Sequence, residues 1–522
     1  MNAFIQRNAS AVIGMLSGFD RLLFRGTLRR IANAAGLSSF LSYTGVLLKD
    51  FGDHSEKLTE HVKEASLAVA EKAGRPVQYL PDPSVRKEDV AREIARRDGI
   101  DNGLICVLTA VESCYSFEIH RNRAEKKLQL RPRQRRCLHL YHYMMHPQWG
   151  FMHARVQTWF PFTVSVCING REWLARQMDQ AGLGYTRRDN CFTELQDLGR
   201  AQLLMDEQLK TNWTSVLDGI IAAANPAHAE LFGPASSYPI DPYWSVQQSE
   251  WATDVMFKSK ELLARLYPRL IRHGIETLSS RDVLRFLGKS VPEGRNAHYK
   301  FNGEVLSDLK ERLEGIRLKH FVDFNSLKMY DKWLNLRFEM TMNQCGDFKV
   351  FRGTEADPDK MEWRPLRKGV ADLHRRAQVS QACIDRYMTA MAAVEQTTPL
   401  KELAQPLCVA VKKKGRRARA LNPLSAEDAA LLQAVARGEF TINGFRNRDI
   451  RALLYTGEAA DKPEIRRRSA AVGRKLRMLR LHGLIRKVSK THRYQVSDQG
   501  RLVITALLAA AEANATMLAS AA

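Results

Sequence analysis

No CxxC pair occurs in this chain of 522 residues, although it holds eight cysteines: Cys106, Cys114, Cys137, Cys167, Cys191, Cys345, Cys383 and Cys408. Zinc ribbons and fingers draw on closely paired thiolates, so a cysteine-built structural zinc site is not expected. Dispersed single cysteines suit a reducing compartment, where they act as small buried hydrophobes. There is no complete GxxxxGK[S/T] phosphate loop, no strand-linked GxGxxG and no GxSxG. NTPase, dinucleotide and serine-hydrolase readings therefore have no support, and no nucleotide cofactor is expected. Long hydrophobic runs are also lacking. The apolar run Ala11–Leu16 is short and is followed by Asp20 and Arg21, unlike a signal peptide. The alanine-rich tail from Val503 holds Glu512 and reads as a soluble helix. A cytoplasmic protein with no membrane partner is expected.

Acidic residues are in short supply: 57 Asp/Glu stand against 80 Lys/Arg, a net charge of +23. Such an excess calls for an anionic partner. It is not spread evenly. From Lys412 to Arg501 there are 23 Lys/Arg against 8 Asp/Glu, a net of about +15. Phosphate backbones attract dense positive charge whatever their sequence, so the C-terminal end is the expected nucleic-acid contact.

The fold class expected is α+β and multidomain: a mixed helical and antiparallel-sheet core followed by a C-terminal winged helix. Residues 1–100 read as mainly helical, except Ala11–Thr27, which fits strand or helix. Residues 101–195 read as an antiparallel meander plus a helix from Arg171 to Ala181, because short Val/Tyr/Phe/Trp-rich runs alternate with turn residues. Residues 196–300 read as helical and 301–400 as strand-rich, then helical from about Gly369 to Glu395. Residues 401–424, with KKKGRRAR, read as a basic linker, 425–511 as the DNA-binding domain and 512–522 as a tail.

Within 425–511, Ser425 is placed to cap a helix, Glu427–Arg437, and Asn447 to cap a second, Arg448–Tyr455. A third, Ile465–Leu481, is stopped by His482-Gly483, with Ala470, Ala471, Leu476 and Leu479 expected inward. A hairpin, Leu484–Val488 with Arg493–Val496, and a final helix follow. The run LRLHGLIRKV…HRYQVSDQGR in this order resembles the winged helix-turn-helix family. In that family the third helix enters the major groove and the wing touches the backbone. The resemblance implies groove or phosphate contacts at Arg466, Arg467, Arg474, Lys475 and Arg477, and wing contacts at Lys490, His492 and Arg493.

A second resemblance lies in Asn325–Asn343, NSLKMYDKWLNLRFEMTMN. Lys-X-Tyr-Asp-Lys followed by Leu-Arg-X-Glu is similar to a stretch of rolling-circle replication initiators. In those proteins a strand acid helps hold a divalent metal beside a tyrosine that attacks a DNA phosphate. The resemblance implies Glu339 and Asp331 as ligands of Mg²⁺ or Mn²⁺ and as catalytic residues, Tyr330 as nucleophile, and Lys328 and Lys332 as phosphate contacts. The family's His–apolar–His pair has no counterpart. The structural alternative is an amphipathic hairpin with Leu327, Met329, Leu336, Phe338 and Met340 inside and Lys328, Arg337 and Glu339 paired outside.

Three further clusters carry candidate chemistry. On a helix, His142 and His146 would share a face and with His153 could hold a metal, but the aromatic surroundings favour strands, which space them too widely. Asp20, Glu112, Glu250 and Asp254 sit at or near apolar runs, where acids must be paired or coordinated. Nucleases of the RNase H type set such acids on neighbouring strands to hold metals. Glu250 and Asp254 would share a helical face. Arg121–Arg136, with RNRAEKK and RPRQRR, is a basic stretch near aromatic residues, and Arg364–Arg376 is another.

The function expected from the sequence is therefore nucleic-acid binding in a mobile element or replicon: recognition of DNA by the winged helix, with a metal-dependent strand-processing core. The alternative is a non-catalytic regulator or the protein component of a ribonucleoprotein that binds structured RNA.

Overall fold

In a computed structural model the ambiguous N-terminal run becomes a strand, β1, Val12–Leu28. Residues 2–233, 236–289, 305–333, 335–354, 357–395, 400–413, 415–440, 444–455, 457, 459–489 and 491–512 are described. Within β1 the buried positions from Leu16 to Leu28 include every even-numbered residue. That period of two fixes the strand and places Asp20 on the same buried face as Leu22 and Phe24. The chain is a mixed helix-and-sheet protein built on one large mixed sheet. It divides into two compact units, each assembled from separate chain segments.

One unit comprises Gly18–Trp251 and Arg367–His374. After β1 come the helices Ala34–Tyr43, Phe51–Lys72 and Lys87–Arg97, in the region expected to be helical. They are interrupted by β2, Val77–Tyr79. The meander follows as β3, Gly103–Asn122, β4, Lys127–His146, β5, Gly150–Gln157, and β6, Val164–Asn169. The pairs β3–β4, β4–β5 and β5–β6 are antiparallel, as expected, whereas β2 joins β3 in parallel. Asn169 caps the helix Gly170–Gln180 by accepting from the amides of Arg171 and Glu172. A small hairpin, β7, Tyr185–Arg188, and β8, Cys191–Leu195, stands outside the sheet.

The reading of 196–300 as a helical region is corrected at Pro242–Phe257, which forms β9. Its aromatic and β-branched residues favour a pleated surface over a helix. Glu250 and Asp254 consequently lie on a strand. Four residues along a strand span about 13 Å, so the two do not share the compact face a helix would give them. The strand order within this unit runs β9-β1-β6-β5-β4-β3-β2. At 17 and 16 residues, β1 and β9 are long enough to contribute to both units.

The other unit comprises residues 1–17, 252–366 and 375–522. Its antiparallel meander is β10, Leu306–Arg312, β11, Gly315–Val322, β12, Asn325–Lys332, and β13, Asn335–Met342. Every residue of β13 is buried, so both faces of the sheet are covered there. Phe4 packs edge-on to Phe338, and Tyr387 of the helix Leu373–Met391 packs on Phe338 as well. Tyr387 also accepts or donates a hydrogen bond at 3.1 Å with His320. A hairpin, β14, Lys349–Arg352, and β15, Glu362–Pro365, leads on to the C-terminal segment.

The basic run expected to be a linker is instead a hairpin, β16, Val411–Lys413, and β17, Arg416–Ala418, turning at Gly415 with φ +72°. Ala418, Leu421 and Leu407 are buried in the same core as Leu431, Leu432, Leu476 and Leu479. The C-terminal module therefore begins well before Ser425. High charge density hid the hairpin because its apolar contribution is confined to a few residues.

Candidate nucleic-acid interface and acidic pair

The C-terminal elements follow the expected order. The helices are Ala426–Val435, Asn447–Leu454 and Lys462–Leu481. They are followed by β18, Ile485–Lys487, β19, Tyr494–Val496, and the helix Asp498–Glu512. Ser425 caps the first by accepting from the Asp428 amide. Asp461 caps the third, and Pro463 stands in its first turn, where a missing N–H costs nothing. His482 and Gly483, φ +79°, end it. The cap at the second helix is corrected. The Arg446 amide is met by Asp449, while Asn447 donates to the Ser469 carbonyl at 2.9 Å and so ties the second helix to the third.

Phe445 exchanges both backbone hydrogen bonds with Tyr494, at 2.9 and 2.8 Å, adding a one-residue third strand beside β19. Gly444, φ +61°, is required beside it, since a Cβ there would stand 2.2 Å from the Tyr494 carbonyl oxygen.

The helix Lys462–Leu481 buries Val472, Leu476, Met478, Leu479 and Leu481. Ala470 is exposed and Ala471 only half-buried, so neither is the inward anchor expected. The opposite face exposes Arg466, Ala470, Arg474 and Arg477 at spacings of four, four and three, a single helical stripe.

Not every predicted contact lies on that stripe. Lys475 is turned back, 3.0 Å from Glu427, and its side chain is only 16% exposed. Arg467 lies 2.8 Å from Glu464 in a solvent-screened surface pair, a weak tie that a phosphate can replace. Arg493 lies over the Phe351 ring at 4.2 Å and donates to the Gly444 carbonyl at 3.1 Å, so it braces the hairpin from within. His492 is exposed at the hairpin turn, beside the exposed Arg486 and Lys487 of β18. Lys490 lies outside the described residues.

Sequence reasoning missed Arg416 and Arg417. Both are exposed on the β16–β17 hairpin, and Arg417 lines one depression with Arg474, Lys475 and Arg477. The signal available was Gly415 between two three-residue runs, which is a hairpin turn as readily as a linker.

The stretch Asn325–Asn343 forms the β12–β13 hairpin, with Lys328 opposite Glu339 and Tyr330 opposite Arg337. Leu327, Met329, Leu336, Phe338 and Met340 are fully buried on the other face. Glu339 is buried, ion-paired to Lys328, and accepts from the Thr341 hydroxyl at 3.2 Å. Against the cost of burial, Lys328 holds its carboxyl below the usual range. Asp331 pairs with Leu336 and so projects from the opposite face to Glu339. The two predicted metal ligands are therefore not brought together. Burial raises the Asp331 pKa and pushes the Tyr330 phenol up to about 12, which makes this tyrosine a poor nucleophile in the resting state.

The histidines do not converge either. His142 and His153 leave opposite faces of the β4–β5 pair, since His142 stands opposite Ala154 and His153 opposite Tyr143. His142 hydrogen-bonds the Ser66 hydroxyl at 3.0 Å, while His146 Nδ1 accepts from the amides of Gln148 and Trp149.

Burial lowers the pKa of His139, His142 and His228 to about 4 and of His153 to about 3, with Arg155 adding to the effect at His139 and Arg21 at His153. These rings are neutral in the folded unit but protonate near pH 6.5 when unfolded. Their contribution is thus complete above pH 6.5 and is lost as the pH falls towards 4. Between pH 6.5 and 5 each should give up about 2 kcal/mol. Thermal melts across that interval, with His142→Gln as comparison, should show a steep acid loss that the variant reduces. A flat profile would contradict the burial.

Among the acids, Glu112 accepts from the Tyr141 hydroxyl at 2.7 Å and pairs with Lys87 at 2.9 Å, an ordinary ion-pair network. Asp254 is bound to Arg337 at 2.5 and 2.9 Å, and both are buried. Asp20 on β1 and Glu250 on β9 are different. Their carboxylate oxygens lie within 4.8 Å of each other, Asp20 buried and Glu250 half-buried. Asn190, from the β7–β8 turn, donates to Asp20 at 2.5 Å. Two carboxylates so close must share a proton, draw on neighbouring cations, or bridge a metal ion. This is the strand-borne arrangement expected for metal-holding acids, with two of the four candidates brought together.

The chain matches no family model, no curated protein and no solved structure. Among the described residues no helix is long and apolar enough to cross a membrane.

Proposed function

We propose that the chain is a nucleic-acid-binding protein of a mobile element or replicon that recognises DNA through a C-terminal winged helix. The observation that carries this reading is the exposed arginine stripe of the helix Lys462–Leu481, extended by Arg417 of the neighbouring hairpin. The opposite side of the helix is committed to the core, so the charge is presented outward on a rigid element. Guanidinium groups bind phosphate and the guanine edge bidentately. The test is binding of duplex DNA by the full chain and by its Arg466→Ala, Arg474→Ala, Arg477→Ala variant. Recovery of a defined RNA with the purified protein would favour the ribonucleoprotein reading instead.

A second reading, metal-dependent strand processing, is supported by the Asp20–Glu250 pair. Mg²⁺ or Mn²⁺ held by these carboxylates would neutralise a scissile phosphate. Supercoiled DNA incubated with the protein and Mn²⁺ should be nicked, and Asp20→Asn or Glu250→Gln should reduce nicking at least 100-fold. Equal nicking by wild type and both variants would remove the reading, as would no nicking at all.

A further inference from the structure

Beyond Glu112 on β3 and Cys137 on β4, no third strand among the described residues joins the pair. The parallel partner β2 meets β3 only at Val107–Thr109, and β5 meets β4 only from His139 onward. Ser113–Asn122 and Lys127–Arg136 therefore form a two-stranded ribbon. Between Arg121 and Arg136 it carries eight Lys/Arg and one acid, Glu125. All residues from Arg131 to Arg136 are exposed.

Strand alternation sets Arg131, Arg133 and Arg135 on one face, about 7 Å apart. The charges opposing this ladder are few. Glu118 stands opposite Arg131 and is ion-paired to Arg133. Arg135 lies over the Trp159 ring at 4.7 Å, which stiffens it without neutralising it. Arg136, on the other face, donates to the Val111 carbonyl at 3.3 Å.

We propose that this ribbon is a second DNA-binding surface, independent of the C-terminal helix, and that Arg131, Arg133 and Arg135 grip the phosphates of duplex DNA. Ser116 and Phe117 of β3 are buried, so the ribbon is backed by its own unit and presents the exposed stretch Arg131–Arg136 of β4. A strand so presented can lie along the wide major groove of B-form DNA, whereas the narrow major groove of A-form RNA does not admit it. Arginine, which prevails over lysine in the ladder, suits planar contact with phosphate oxygens. A membrane-inserting ribbon would carry large apolar residues at its tip, but the turn is Arg123-Ala124-Glu125-Lys126. Pro132 is compatible with the assignment, because the outer edge of β4 has no strand to hydrogen-bond at that position.

The test uses the full chain with Arg131→Gln, Arg133→Gln and Arg135→Gln together. Losing three phosphate contacts should lower the slope of log K against log salt by about 2 to 3 on duplex DNA. Glu118→Gln, which releases Arg133, should raise affinity a few-fold. Circular dichroism should be unchanged and thermal melts little altered, since the three exposed side chains give up only a surface ion pair and one ring contact. An unchanged slope would overturn the proposal. So would a loss seen only with single strands, duplex RNA or anionic phosphatidylserine vesicles. The Arg466/Arg474/Arg477 variant, measured in parallel, separates the two surfaces. If it binds normally while the ribbon variant does not, the ribbon stands and the winged-helix reading falls. If only the helix variant is impaired, the ribbon proposal is lost.

Discussion

The full chain carrying Arg466→Ala, Arg474→Ala and Arg477→Ala should bind duplex DNA tens of times more weakly than wild type near 0.1 M salt. Its salt dependence should flatten by about 2 to 3 in slope, because each arginine that meets a phosphate releases close to one counterion. Stability should change little, since the three side chains lie on the solvent face and the core beneath them is made by Val472, Leu476 and Leu479. Arg493→Ala is the informative contrast. Its guanidinium rests on Phe351 and the Gly444 carbonyl, so its removal should lower the melting temperature before it alters the slope. Lys475→Ala should likewise act weakly on binding, because Glu427 already engages the ammonium. The full chain is the right reagent. Leu407, Ala418 and Leu421 belong to the module's core, and a fragment cut at residue 420 would remove two of them. Unaltered affinity and slope in the triple variant would remove the helix from the interface.

What the sequence disclosed was what depends on neighbours along the chain. Ser425, Gly444 and Gly483 mark local backbone events, and the order of helices and hairpin after them follows from period and punctuation. The meander from Gly103 to Asn169 was legible because alternating aromatic and β-branched runs need no distant partner to be recognised. The errors arose where distant contacts decide. Pro242–Phe257 resembles an aromatic, polar helix until the neighbouring strands are known, and with that error Glu250 and Asp254 were grouped by the wrong period. Asp20 and Glu250 are 230 positions apart, and nothing in either segment names the other. Asp331 and Glu339 look like a pair in sequence, yet the register of one hairpin turns them to opposite faces. Which basic side chains face solvent was also out of reach, because Glu427 and Phe351 intercept Lys475 and Arg493 from far away in the chain.

Breaking the Asp254–Arg337 pair should have the largest effect on stability of any substitution considered. Arg337 is wholly buried and Asp254 nearly so, and the guanidinium holds the carboxylate through two hydrogen bonds, at 2.5 and 2.9 Å. Asp254→Ala would take away the carboxylate that meets the buried guanidinium through two hydrogen bonds inside a covered sheet, a loss of roughly 3 to 5 kcal/mol. The desolvation cost of the pair itself is also large, however, so the pair need not be stabilising relative to an apolar replacement. Asp254→Leu combined with Arg337→Met should therefore recover most of what either single change loses. Denaturant melts of wild type, both singles and the double give the coupling directly. A strongly favourable coupling would place the bond among buried contacts that matter through mutual compensation. Additive losses in the double variant, or a cost below about 1 kcal/mol for Asp254→Ala, would mean that water or other partners already satisfy Arg337 and that β9 is anchored by its apolar residues alone.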